Sequence, residues 1–370
     1  MNEPTFKKEV RRAWKILRRL AAYHQNVLFF MGGFFFDAFT LDRIDAWLDL
    51  ALQGGYIAVL TVMILLQQRA ALGRWRPQGY VARAWVYNVE ALHFLFGGLL
   101  SAYVIFYTRS GVNVRTFLFF AAAGALLVYN ELPESRRWGL SLRLALYTFC
   151  VASFQIYFVP VIVGRMGDAI FCLSILLTAV LVGLLLGLLA CWEDEMRATF
   201  QRLAVPAALT LVAITVFYFM RWIPPVPLEM KFAGIYHKVE HAGKDYVLTY
   251  ERGPWYAFLR RQDRPFYARK GDRIYCFVRV FAPTRFTHKI SLHWLSYDSA
   301  QGWISRDRIP LPIRGGRAEG YRGYAYKEKF QPGRWRVQVE TEDGRVLGEL
   351  PFAVAAARGA GRRRWKTVKS

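Results

Sequence analysis

Ionisable residues inside apolar runs are costly, and they mark places where a membrane chain can do chemistry. Asp37 lies in the run Gly33-Phe-Phe-Phe-Asp-Ala-Phe, and Glu90 and His93 lie three residues apart in another apolar run. The i, i+3 spacing puts Glu90 and His93 on one helix face, where they suit a hydrogen-bonded pair, a proton relay or half of a metal site. A second Glu-x-x-His would favour metal, and the sequence has none. Asp42, Asp45 and Asp49 follow Asp37 at i, i+3 and i+7 spacing. An oxygen-rich cluster suits a hard cation, yet ordinary interfacial acids, a helix cap or contact with a basic surface explain the same pattern.

The second half of the chain carries different chemistry. His237 with His241 and His288 with His293 are the clustered histidines. Residues 288 and 293 face opposite ways in a regular strand, so a buried His293, hydrogen-bonded beside Trp294, is the favoured reading over metal binding. Arg260 and Arg261 sit among Trp255, Tyr256, Phe258, Phe266 and Tyr267, a mixture that fills a core or stacks sugars and clasps an acidic polymer. Of four cysteines only Cys276 lies in this half, and no spacing suggests zinc. No nucleophile–base motif, P-loop or dinucleotide fingerprint is present. The sequence therefore implies no cofactor and no metal.

The elements that must position these groups follow from hydropathy. The 370 residues are 54% hydrophobic and 16% aromatic, a membrane composition. Seven apolar stretches of spanning length are expected, at about 21–41, 47–67, 86–108, 114–130, 143–163, 169–191 and 204–223. If the N-terminus is cytoplasmic, the inner segments hold sixteen Lys/Arg and the outer ones five. The positive-inside bias then puts the C-terminal part on the outer side. Gly97-Gly98 and the GxxxG at Gly183–Gly187 are candidate helix contacts.

After Ile223 the pattern changes. Pro224-Pro225-Val226-Pro227 reads as a stiff stalk, and period-two alternation follows with turn residues at Lys270-Gly-Asp272, Gln331-Pro-Gly333 and Glu342-Asp-Gly344. Residues 231–370 hold 29 Lys/Arg against 13 Asp/Glu, so this strand-rich part is the strongly basic one. Its charge favours anionic partners. If Trp335, Val337 and Val339 share a strand face, that face is expected to be buried.

Three pieces of this half resemble a known family: Ile274–Val280 with Cys276; Ile290-Ser-Leu-His-Trp294; and Gly333–Val339 continuing through Asp343-Gly344 to Phe352-Ala-Val354. They resemble bacterial domain-of-unknown-function family 2914. The resemblance implies a membrane protein with a terminal β domain and brings no activity or catalytic residues.

The organisation expected is a basic cytoplasmic segment (1–20), a seven-helix bundle (21–223), a proline-rich stalk (224–229), an all-β, Ig-like sandwich (230–357) and a basic disordered tail (358–370). The expected function is an inner-membrane protein presenting a periplasmic binding or interaction module, rather than an enzyme. The alternative is a small transporter or membrane-embedded enzyme using Asp37, Glu90 and His93. Expected partners are the lipid bilayer, anionic headgroups, an acidic envelope polymer or an envelope protein; nucleic acid is not expected on the outer side.

Overall fold

In the computed structural model, residues 41, 43–111, 135–243, 245–252, 261–284, 286–316, 319–357 and 363–370 are described. They form six helices and then eleven strands. The helices are α1 (Trp47–Ala71), α2 (Gly79–Trp85), α3 (Asn88–Arg109), α4 (Ser135–Val163, broken at Gly139), α5 (Asp168–Ala190) and α6 (Met196–Phe219). Five are long and apolar enough to cross a bilayer: α1, α3, α4 from Gly139, α5 and α6. They coincide with the stretches expected at 47–67, 86–108, 143–163, 169–191 and 204–223. Helix α6 begins earlier than hydropathy suggested because its first turns carry Arg197, Gln201 and Arg202. The spans expected at 21–41 and 114–130 lie outside the described residues. Leu176, Val180 and Leu184 of α5 and Leu209 and Val212 of α6 stand exposed, as lipid contact requires.

The packed side of the bundle is made by α3 and α4, whose Phe96, Leu99, Tyr107, Leu144, Cys150 and Tyr157 are buried. Gly98 meets the Tyr56 ring so closely that a Cβ would stand 3.1 Å from it. Gly183 and Gly187 meet nothing within 4 Å, so the expected GxxxG contact is not made among the described residues. One bundle end is tied by polar side chains. There Arg143 donates to Gln67 (2.7 Å), Gln67 to Asn88 (2.6 Å), and Arg69 lies over Trp192. The other end carries the strands.

The strands are β1 (Glu229–Tyr236), β2 (Lys238–Ala242), β3 (Asp245–Glu251), β4 (Phe266–Ala268), β5 (Ile274–Phe281), β6 (Thr287–Asp298), β7 (Gly302–Arg314), β8 (Tyr321–Lys327), β9 (Gly333–Thr341), β10 (Val346–Ala356) and β11 (Trp365–Lys369). They make three sheets: β1-β5-β8, β4-β10-β9-β6-β7 and β11-β3-β2. The first two share a core of Ile274, Cys276, Val278 and Val280 against Leu292, Trp294, Trp335, Val337, Val339 and Phe352. Trp335, Val337 and Val339 share the buried face, as their alternation implied.

Strand β5 reads Ile-Tyr-Cys-Phe-Val-Arg-Val-Phe, with too little alternation for one wet face. Its other face carries Phe277 into a second core with Tyr236, Leu248 and Tyr250, closed by the sheet β11-β3-β2. A third layer thus stands where a two-layer sandwich was expected.

Two boundary expectations are corrected. The basic tail is not wholly disordered: Trp365–Lys369 form β11, paired with β3 from Glu251 to Val247. Arginine-rich composition hid this strand. Arg363 is neutralised by a paired contact on Asp272 (3.0 and 2.6 Å). The proline-rich connection expected as a stiff stalk does not stand apart from the parts it joins. Residues 223–228 are buried between helices and strands, because Ile223 and Val226 join the bundle core and Leu228 the sheet core.

Candidate functional site

Helix ends and sheet ends meet in one polar joint. Asp168 opens α5 at its positive N-terminal end, a position that favours an acid. Tyr218 lies in the last turn of α6 and donates its hydroxyl to Asp168 Oδ1 (3.0 Å). Phe171, one turn into α5, stacks on the Tyr218 ring at 3.5 Å. From the strand side, Arg345 follows the turn Glu342-Asp343-Gly344 between β9 and β10. Its guanidinium lies 3.5 Å from the centre of the Tyr218 ring. Its Nε is 2.6 Å from Asp343 Oδ2, its Nη2 4.0 Å from Asp168, and its side chain is 6% exposed. A cation held over an aromatic ring and against carboxylates, largely out of water, is a strong fastening.

Other contacts seat the same joint. Asp45 pairs with Arg43 through two bonds (2.9 and 2.8 Å) and accepts the backbone N–H of Thr284 (3.2 Å). Arg43 also lies over Phe281. Gly111, just past α3, has φ +137°, and a Cβ there would stand 2.8 Å from the carbonyl of Val346. Only glycine allows that approach.

Beside the fastening is a cavity of about 340 Å³. Pro160, Ile170, Phe171 and Pro225 give it an apolar wall, and Asp168, His288, Glu342, Asp343 and Arg345 a polar one. Burial pushes the His288 imidazole below its ordinary value, with Glu342 and Asp343 opposing. Its Nε2 is buried without a hydrogen-bond partner.

The open face of the five-stranded sheet holds a second constellation. His293 does not lie in the core: it points outward, opposite to the fully buried Trp294. Its Nδ1 is 2.8 Å from Glu340 Oε1 and its Nε2 2.8 Å from Ser305 Oγ, while Arg308 pairs with Glu340 Oε2 (2.8 Å). The order serine–histidine–carboxylate is that of an acyl-transfer relay. Ser305, however, is exposed on a sheet face and not set in a cleft that would keep water from an acyl group. The chain of bonds ties β6, β7 and β9 together. Further along this face Arg336 lies 4.0 Å from the centre of the Trp303 ring, and Arg334 4.8 Å from that of Tyr297. The two rings meet edge to face at 5.4 Å.

The residues singled out from sequence are scattered. Asp37, Asp42 and Arg260 lie outside the described residues, and Arg261 is exposed next to them. Glu90 is exposed on the first turn of α3 and His93 half-buried one turn on. His237 bonds Asp263 (2.7 Å) and stacks on Phe266, while His241 packs edge-on to Tyr246. Among the described residues no group of three His, Cys, Asp or Glu is placed to hold a metal. Sequence reading missed Asp168, Tyr218, His288 and Arg345 as one site. The available signal was an acid opening an apolar run and an arginine after a tight turn.

Residues 287–354 match the family model described as "Protein of unknown function (DUF2914)", which spans β6 to most of β10. No curated protein matches the chain. Among solved structures, a β-glucosidase from Kluyveromyces marxianus aligns at 8% identity over 37% of this chain and 15% of its own, with a TM-score of 0.17. The Pseudomonas fluorescens alkylpurine DNA glycosylase AlkC, bound to DNA containing an abasic site analog, aligns at 11% identity over 82% of this chain and 99% of its own, with a TM-score of 0.20. Scores this low carry no argument about fold or function.

Proposed function

We propose that this chain is an integral inner-membrane protein of seven spans that presents a basic, Ig-like β-sandwich with an added sheet on the periplasmic side, as a binding module for an acidic envelope polymer. The observation that carries this reading is the open sheet face, where Arg334 and Arg336 lie over Tyr297 and Trp303. Arginine on aromatic rings gives an acidic polymer both charge and a flat stacking surface. The seven-span count draws support from the described helix ends. Helix α3 finishes beside Val346, whereas Arg143 near the start of the next long helix bonds Gln67 at the far end. These two ends lie on opposite sides of the bundle, as the expectation of one more span between them requires. The arginine bias supports an outer placement for the strands. The alternative, a small transporter or membrane-embedded enzyme working through Asp37, Glu90 and His93, has less support, since Glu90 is exposed at a helix start.

The test is binding of polygalacturonate and of neutral dextran to the full-length protein in nanodiscs. The expected result is salt-sensitive binding of the acidic polymer alone, weakened about tenfold by Arg334→Gln with Arg336→Gln. Equal binding of dextran, or no effect of the double substitution, overturns the reading. Activity of alkaline phosphatase fused after Ser370 checks the side.

A further inference from the structure

The joint cavity lies at the ends of three helices long and apolar enough to cross a bilayer, the level at which lipid headgroups would stand, and its composition would select among them. Helices α4, α5 and α6 all end or begin at it, through Pro160, Asp168 and Tyr218. Its apolar wall does not stop at the cavity. Ile170 lines it, and Leu173 and Leu177 continue the same face of α5 at i+3 and i+7, both 39% exposed. Ile162, beyond Pro160, and Phe219, beside Tyr218, are more exposed still. A polar-walled cavity continuous with an exposed apolar helix face fits an amphiphile, head in the cavity and chain along the helix.

The polar wall carries both signs of charge. Asp168, Glu342 and Asp343 face the cavity with one guanidinium, Arg345, and His288. Two further cations stand at the rim: Lys289 is 3.7 Å from Glu342, and Arg221 reaches Gly344, where a Cβ would stand 3.1 Å from its Nη1. Arg345 engages Asp343 through Nε, while its Nη2 stands 4.0 Å from Asp168, beyond hydrogen-bond reach. His288 Nε2 is buried and has no partner. Buried polar atoms in native proteins find partners, so this nitrogen marks a place for a ligand oxygen or a water.

We propose that the cavity binds the zwitterionic headgroup of a membrane phospholipid with a primary ammonium group. The phosphate sits against His288 Nε2 and the Arg345 fork, the ammonium between Glu342 and Asp168, and an acyl chain along Ile170, Leu173 and Leu177. A purely anionic headgroup satisfies the cations but leaves three carboxylates facing it, and like charges at close range are unfavourable. This site is separate from the open sheet face, and neither reading depends on the other.

Native mass spectrometry of the full-length protein tests it, after equilibration in mixed micelles with equal phosphatidylethanolamine and phosphatidylglycerol. The expected result is one retained phosphatidylethanolamine, favoured at least about fivefold. Glu342→Gln, at an exposed position, and Asp168→Asn should each bring the ratio close to one. Folding is checked by an unchanged circular dichroism spectrum, and Ser305→Ala serves as a control expected to keep the preference. Equal retention by the unaltered protein, or preference for phosphatidylglycerol, overturns the proposal. Displacement of the lipid by soluble phosphoethanolamine at equal concentration overturns the assignment to a lipid.

Discussion

The joint and the open sheet face are built from the same parts and used in opposite ways. At the joint Arg345 lies over Tyr218, paired with Asp343, its side chain 6% exposed. On the open face Arg336 lies over Trp303, paired with Glu349, its side chain 20% exposed and its neighbour Arg334 exposed too. Burial turns the first set into a fastening, because the Arg345 guanidinium is held out of water against the Tyr218 ring and Asp343. Exposure leaves the second set cheap to rearrange, since water and salt already compete for it. A basic domain can therefore spend one cluster on its own architecture and keep another for a ligand. Charge count alone does not say which is which.

The largest effect should come from the joint. Arg345→Ala removes a buried guanidinium that packs on Tyr218 and pairs with Asp343, and should cost about 2–4 kcal/mol, read as a lowered midpoint of thermal unfolding in detergent. The same truncation on the open face, Arg336→Ala, should cost at most about 1 kcal/mol. Equal effects at the two sites would erase the distinction between them.

An intermediate effect is expected at the C-terminal strand. Arg363 makes three bonds there, two to Asp272 and one to the carbonyl of Tyr267 (2.6 Å). Burial pushes the Asp272 carboxyl up, but Arg363, the Arg269 backbone N–H and His237 outweigh it and hold it below its ordinary value. Arg363→Ala should cost about 1.5–3 kcal/mol and raise hydrogen exchange in β11 and β3. Unchanged exchange in both strands would mean that β11 is held by its ladder alone.

The pH response sharpens the comparison at smaller scale. His288 in the joint has its folded value below the ordinary 6.5, because it is buried. Above about pH 6.5 it is neutral whether folded or unfolded and has no effect. Below that, the unfolded chain takes up the proton first, so stability falls with acidification until the folded value is reached. His288→Gln should flatten the melting curve between pH 6.5 and 5. A variant as acid-sensitive as the unaltered protein would place the titrating group elsewhere.

How much of this was legible depends on range. Helix positions followed from runs of apolar residues, and the buried face of Trp335, Val337 and Val339 from alternation, because both patterns are local. The joint was not legible: Asp168 and Arg345 come from different halves of the chain, and nothing near either names the other. His293 was read beside Trp294, yet adjacent residues of a strand face opposite sides, and its partner Glu340 comes from β9. The tail was misread because Arg362–Arg364 dominate its composition, while the strand signal of Trp365-Lys-Thr-Val is short. Pro224–Pro227 read as a stiff stalk, and its burial was not legible, since composition does not record what packs on either side.

The central claim is that the strand-rich region is fastened to the helix ends rather than carried on a swivel. Spin labels at the exposed positions 165 and 329, with Cys172 and Cys191 replaced by serine, test it in the full-length protein in nanodiscs. The account predicts one narrow distance distribution, unchanged between low and high salt and broadened by Arg345→Ala. A broad distribution in the unaltered protein, or one that Arg345→Ala leaves as it was, would contradict it.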